Sequence, residues 1–437
     1  MAEQQNILDH LSMIFKDVES GLNGLSGSAM HQFQRNSFEA LKRVQFPDKK
    51  HEDWKYTNVQ NLLAPKYQLA GRQTSYRIAA IPGIDSYVIP ILNGKVVTTD
   101  LDPRLSELGL SLIPLHEAFE NSSWKEAFGE IVSTSMPTSN RAFDLLNFTF
   151  NTSGFYLYIP KNTILDRPIE IRIIHDAPET SFSNPLYFIR CGTGSQVELI
   201  ERFESNMDSQ HPSSDALINS IGFLHLEKNV IARHIKWQEL PLTHNLVYKL
   251  YVSQHRDSRF ETFAFDNGGQ LTRNNVEVEL EDQNTYTSLQ AGFMASGNQS
   301  MDHQTRINHK SPNCESHELY KGIIDDKASA AFNGKVLVHK DAQKTNAFQQ
   351  NDTLVLSKHA LMNSKPQLEI FADDVKCSHG ATIGQLDEKA MFYLMSRGLP
   401  EDSAKHILKK AFISEVLDRV SNENMRNYIS SQMGVAE

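Results

Sequence analysis

The sequence predicts a mainly β protein in which a long strand-rich core is framed by helical regions at both ends. Three observations carry this. Helical periodicity largely disappears between about residues 146 and 383, and period-2 alternation replaces it, as in Ile169, Ile171 and Ile173 against Glu170 and Arg172. The strands are short and separated by polar or glycine turns, such as Asn267-Gly268-Gly269 and Gly192-Thr193-Gly194. Helical spacing belongs to the flanks: it dominates before about residue 66, is mixed with a strand signal up to about 145, and returns after Leu386. Strands without intervening helices suit a sandwich, a barrel, a propeller or a β-helix. No repeat of fixed period stands out to choose among them.

In chain order, Ile7, Leu11, Ile14 and Val18 make an apolar stripe on a first helix, which Gly21, Gly24 and Gly27 end. A second helical run covers about 29–44, before Pro47. A short strand at 87–92 precedes helices around Leu105 and over 116–128. In the core, Phe155, Leu157 and Ile159, then Val276, Val278 and Leu280, then Val336 and Val338 keep the strand alternation. Phe392 and Met395 share a helix face before Gly398, a natural stop, and Pro400 opens the next helix with Glu401 and Asp402 in its first turn. That helix is apolar over a wide arc, with Ala404, Ile407, Leu408, Ala411 and Phe412, extended by Ile413, Leu417 and Val420. So wide an arc buries two faces, either both on its own domain or one on a partner. The resulting division is 1–145, mixed and helical; 146–384, the β core; and 385–437, helical.

A chain of 437 residues exceeds a single ordinary core, and its net charge of −10 argues against a nucleic-acid binder. The first residues carry an acid where a signal peptide carries Lys or Arg, and no apolar stretch approaches a membrane span, which places the protein in the cytoplasm. Three cysteines, Cys191, Cys314 and Cys377, describe neither a disulfide framework nor the four thiolates of a standard iron–sulfur site. The P-loop, G-x-S-x-G and H-E-x-x-H signatures are all missing.

Adjacent Asp373 and Asp374 would point to opposite faces of a strand, so a solvated or turn role is expected of them rather than a catalytic dyad. Cys377-Ser378-His379 is the more informative cluster. On an extended segment the thiol and imidazole share a face, about 6.6 Å apart, and together suit Fe, Zn or Cu. Two ligands do not complete a site, so the remainder would come from elsewhere, another subunit included. The plainer reading is a buried thiol beside a hydrogen-bonded histidine. Cys314-x-x-His317, with His303 and His309 near in sequence, admits the same two readings, but Ser311-Pro312-Asn313 marks a turn there. Cys191 reads as a small core residue. The polar run from Gln343 to Asn351 reads as stacked amides, with a ligand groove as the alternative.

Several stretches resemble the SufB/SufD family of iron–sulfur assembly proteins. They include Phe332-Asn333-Gly334-Lys335-Val336, Ala342-Gln343-Lys344-Thr345-Asn346-Ala347, Asn351 and Leu368-Glu369-Ile370. Ala372-Asp373-Asp374-Val375-Lys376-Cys377-Ser378-His379-Gly380-Ala381-Thr382, Gly384-Gln385-Leu386-Asp387, Phe392-Tyr393-Leu394 and Ser396-Arg397-Gly398 continue the likeness. Upstream, Glu52-Asp53-Trp54-Lys55-Tyr56-Thr57 is similar to the N-terminal motif of the SufD branch, although Trp54 and Tyr56 are also explained by simple aromatic packing. The resemblance implies a right-handed parallel β-helix core with helical flanks. It implies a SufB partner on the β-helix and the ABC-type ATPase SufC on the C-terminal helices, with Ile407, Leu408, Ala411 and Phe412 as the docking residues. It also implies that His379 and Cys377 face SufB where a cluster is built. No cofactor is then held stably by the chain alone, only transient iron or a nascent cluster in the complex, and the isolated chain could form a homodimer. A metal-free adaptor and a β-helical polysaccharide-degrading enzyme are the competing expectations; the latter would need an export signal and convergent acids.

Overall fold

The computed structural model describes residues 2–20, 27–71, 76–77, 79–98, 101–120, 141–205 and 214–435. Its core is a parallel β-helix: the chain alternates strand by strand between two sheets, of 11 and 10 strands among the described residues. Reading from the C-terminal end, the first sheet stacks Leu361–Ile370, Ser329–Val338, Ser300–His309, Leu271–Leu280, His244–Gln254 and Ala216–Leu226. The second stacks Lys376–Gly384, Asn346–Val355, Glu315–Ile324, Tyr286–Ala295, Arg259–Asp266 and Ile231–Glu239. Each strand pairs in parallel with the strand one coil away, as Ser300 with Ser329 through His309 with Val338. Among the described residues, antiparallel pairs occur only at the opposite end, where Ser111–Pro114 joins Phe155–Ile159 and Lys95–Val96 joins Tyr87–Leu92.

The repeat that the sequence hides lies at the corners. Asn162, Gly194, Asn229, Asp257, Asn284, Asn313 and Lys344, each with positive φ, recur every 27 to 35 residues. Successive corners are tied by backbone bonds: Asn229 N–H donates to Arg256, Asp257 to Gln283, Asn284 to Pro312, and Asn313 to Gln343. Gly, Asn and Asp tolerate the left-handed region that this corner needs, which is why the repeat is one of conformation rather than of a single letter.

Inward side chains of the two sheets form the main core, with Val252, Val278, Ile307 and Phe332 from one and Leu289, Ala291, Phe293 and Tyr320 from the other. Burial of each large apolar side chain contributes about 1.5–3 kcal/mol. Aromatic residues stack along the outer face of the first sheet: Phe188 on Phe223 at 4.5 Å and Phe223 on Tyr251 at 5.0 Å.

Helices cover the outer faces. The helices Ala2–Ser20, Ala29–Leu41 and Ala142–Phe150 pack on the first sheet, burying Leu11, Phe15, Phe38, Leu41 and Phe150 against Phe182, Leu217 and Val247. The expected helices at both ends are present; the one sought over 116–128 covers Leu115–Glu120, and the rest of it lies outside the described residues. The Glu52-to-Thr57 motif fastens the N-terminal region to the coil. Trp54 is buried, stacked on Phe143 at 4.9 Å and capped by the Arg273 guanidinium at 3.7 Å. Thr57 and Arg273 both bond the buried Asp302 carboxylate. At the other end, Glu401–Leu417 and Glu423–Gln432 lie on the second sheet, with Ile413, Val416, Leu417 and Met425 against Trp237, Phe263, Phe265 and Ile323. Among the described residues no helix is long and apolar enough to cross a membrane.

Candidate functional site at the open end of the coil

The C-terminal end of the β-helix is uncapped. Its last strands, Leu361–Ile370 and Lys376–Gly384, each pair on one side only and leave a row of backbone groups for another strand. Apolar side chains stand exposed around this rim: Leu361, Ile370, Phe371 and Ile383 are between 40% and 64% accessible. Just inside, Val336, Val338, Ala342, Ala347 and Ala372 form a small terminal core.

Cys377 and His379 lie on the final strand. The strand runs unbroken from Lys376 to Gly384, so Gly380 introduces no turn, and Cα pairing sets Cys377 beside Ala347 and His379 beside Gln349. Ala347 and Gln349 are buried while Phe348 is exposed, so the odd-numbered residues of this register face the interior of the coil. The two candidate side chains therefore share the inward face at the open end. Cys377 is half-buried against the terminal core, and that burial pushes its thiol above the usual range, partly offset by a hydrogen bond from the Ala347 backbone. His379 is exposed.

Beneath His379 the interior turns polar. Glu318 accepts hydrogen bonds from Thr305 Oγ1 at 2.8 Å and Gln349 Nε2 at 3.0 Å, and burial raises its carboxyl to about 7. Deeper in the coil, Glu201 accepts from Tyr187 at 2.8 Å and Tyr248 at 2.7 Å, with His234 at 3.2 Å. Sequence reasoning did not single out Glu318, Glu201 or Gln349 as partners. Gln349 was read only within the polar run from Gln343 to Asn351, and which opposing strand faces each of these residues depends on coil geometry.

The other sequence candidates separate. Asp373 and Asp374 sit in the exposed connection between the last two strands, not on a strand as the opposite-face argument had them. Cys314 is buried, its thiol donating to the Asp282 carbonyl at 3.4 Å, whereas His317 points outward and stacks on Phe348 at 5.5 Å. Burial holds His303 near 4 and His309 near 3, so both are neutral inside the core. Cys191 is fully buried, with its thiol pushed up to about 12. In the polar run, Gln349 and Asn351 turn inward, Gln349 onto Glu318 and Asn351 onto the Tyr320 carbonyl at 3.2 Å. Among the described residues, no three His, Cys, Asp or Glu side chains come together as a metal-binding group.

A second surface lies on the C-terminal helices. Phe392, Tyr393 and Met395 on the helix Glu388–Ser396 are 45% to 74% accessible. Ile407 is 39% accessible, Ala411 is exposed, and Leu408 is partly buried. Phe412 is partly buried under the Lys321 ammonium at 4.5 Å. The wide apolar arc thus divides into an inner face on the second sheet and an outer face open to solvent.

Comparison with known proteins agrees with this architecture. A model described as the SUF system FeS cluster assembly, SufBD core domain matches residues 173–412, and one described as the SufBD protein N-terminal region matches 5–171. The iron–sulfur cluster assembly protein SufD of Escherichia coli is 28% identical, over 91% of this chain and 90% of its own length. An iron–sulfur cluster assembly SufBD family protein of Synechocystis is 29% identical, over 91% and 89%. The chloroplastic protein ABCI7 of Arabidopsis thaliana is 30% identical, over 94% and 87%. With both family models matched in sequence order and these relatives aligned along most of their lengths, the chain belongs to the SufBD family of iron–sulfur cluster assembly proteins.

Proposed function

We propose that this chain is a SufD-like, non-catalytic scaffold subunit. It pairs through the open end of its β-helix with a SufB partner and carries the ATPase SufC on its C-terminal helices. The carrying observation is the open end itself: two unpaired strand edges rimmed by Leu361, Ile370, Phe371 and Ile383, with Cys377 and His379 facing inward between them. A partner of similar fold covers both edges at once, satisfies their backbone groups and removes the apolar rim from water. It also encloses Cys377 and His379, which supply two of the ligands that iron or a nascent cluster requires, the partner contributing the rest. Iron and cluster are cargo of this site, acquired in the complex and passed on. The outer face of the C-terminal helices, with Phe392, Tyr393, Met395 and Ile407, gives the ATPase an apolar seat. Such a complex works in the cytoplasm.

The test is co-purification. Ile383→Glu sets a charge on the exposed inward face of the last strand, above Thr353 and outside the terminal core cluster, and should reduce recovery of SufB with this chain at least tenfold, while SufC recovery stays unchanged. Full recovery of SufB with Ile383→Glu and with a Phe371→Glu/Ile383→Glu double variant would show that the open end is not the pairing surface.

A further inference from the structure

We propose that Gln349 is the positioning residue for His379, its side-chain carbonyl accepting one ring N–H and leaving the other ring nitrogen free to bind iron. The inference rests on the reading of His379 as a ligand. It grows out of how the amide is held. Gln349 is 2% exposed, and its Nε2 donates to the Glu318 carboxylate at 3.0 Å. The same oxygen, Glu318 Oε2, also accepts from Thr305 Oγ1, so it is the acceptor oxygen of this carboxyl whether or not a proton sits on Oε1, and the bond fixes which end of the amide meets it. Glu318 is itself anchored by Thr305 Oγ1 at 2.8 Å. The Gln349 carbonyl oxygen is left buried and without a hydrogen-bond partner, a costly state for an amide. The residue paired beside it on the next coil, and on the same inward face, is His379.

Gly334 belongs to the same device. A Cβ at this position would overlap Gln349 Nε2 and lie 2.7 Å from Phe332 Cζ, so the amide occupies space that only glycine leaves open. The Phe332-Asn333-Gly334 stretch thereby acquires a physical role: glycine on one sheet lets an amide from the other seat beneath the site. A metal-bound histidine usually donates its second N–H to a carbonyl or carboxylate, which sets ring orientation and raises ligand basicity. Here the chain Thr305–Glu318–Gln349 presents such a carbonyl. A neutral amide suits the role because it orients the ring without adding a fixed negative charge.

Two readouts test this, one of them without iron. In the isolated chain with 15N-labelled histidine, the His379 ring is identified by its loss in His379→Ala. Its two ring nitrogens should give the separated resonances of one tautomer in the wild type and averaged resonances in Gln349→Met, which keeps the side chain's length and removes the amide. In the complex with SufB, Gln349→Met should weaken iron binding about 10- to 100-fold. Gly334→Ala should act in the same direction by displacing the amide. The exchanged pair Glu318→Gln/Gln349→Glu reverses the direction of the lower bond but again turns an acceptor oxygen toward His379, and should restore the single-tautomer ring spectrum. Unchanged ring resonances and iron affinity in folded Gln349→Met overturn the inference. If His379→Ala leaves iron affinity intact, the ligand reading falls, and the ring spectrum still decides whether Gln349 sets the tautomer.

Discussion

At the residue scale, burial in this coil pushes three histidines and two carboxyls toward their neutral forms, and stability should record it. Burial keeps His175 and His309 near 3 and His303 near 4, against about 6.5 in an unfolded chain. As pH falls below about 6.5 the unfolded chain takes up protons that these folded histidines refuse, so they lower stability on acidification. Glu277 and Glu318 act oppositely. Both are raised to about 7, so between about 4.5 and 7 the folded chain keeps protons that the unfolded chain releases, and stability falls as pH rises. Glu318→Gln removes one of the two opposing carboxyls. Between pH 5 and pH 7 the variant should therefore gain about 2 kcal/mol more stability than the wild type, by urea denaturation. Parallel pH profiles would show that Glu318 titrates normally. None of this was legible in the sequence, because alternation along a strand does not tell which glutamates the opposing sheet or the covering helices bury. The Cys377–His379 pair was legible, since extended geometry alone sets residues two apart on one face. Trp54 was legible only as an aromatic in a motif; its contacts with Phe143 and Arg273 join positions far apart in the chain.

At the element scale, the helix Glu401–Leu417 has two unlike faces, one packed on the second sheet and one open to solvent. Its wide apolar arc was plain from spacing, but spacing cannot say which part of an arc the chain covers itself. Ile413, Val416 and Leu417 are buried on the second sheet, so deleting the C-terminal helices would uncover Trp237, Phe263 and Phe265 and confuse docking with unfolding. Single substitutions separate the two. Ile413→Ala should cost about 2–5 kcal/mol of stability while leaving SufC binding intact in the folded fraction. Ile407→Glu, on the outer face, should change stability by no more than about 0.5 kcal/mol and abolish SufC recovery. Full SufC recovery with both Ile407→Glu and an added Phe392→Glu would remove these helices from the docking surface. The strands themselves were readable from period-2 alternation. The coil was not, because its repeat is a left-handed corner filled by Asn, Asp, Gly or Lys in turn, with spacing that varies from 27 to 35 residues.

At the scale of the whole molecule, the β-helix is a rod with unlike ends. Antiparallel strands lie at the N-terminal end, whereas the C-terminal end keeps two free edges, an apolar rim and the Cys377–His379 pair. Pattern alone left four β architectures open, and resemblance in the stretch from Phe332 to Gly398 selected the β-helix. The resemblance also turned the pair toward SufB; what neither could supply is that both candidate ligands lie on the inward face of the coil's last strand. The direct measurement is iron and acid-labile sulfide per complex after anaerobic co-purification with SufB and SufC, comparing the wild type with His379→Ala and Cys377→Ala. Intact complexes are expected in all three, with a large loss of iron and sulfide in His379→Ala and a milder loss in Cys377→Ala. His379→Ala complexes that load clusters normally, with stability lowered by several kcal/mol, would make His379 a structural residue and contradict the shared site.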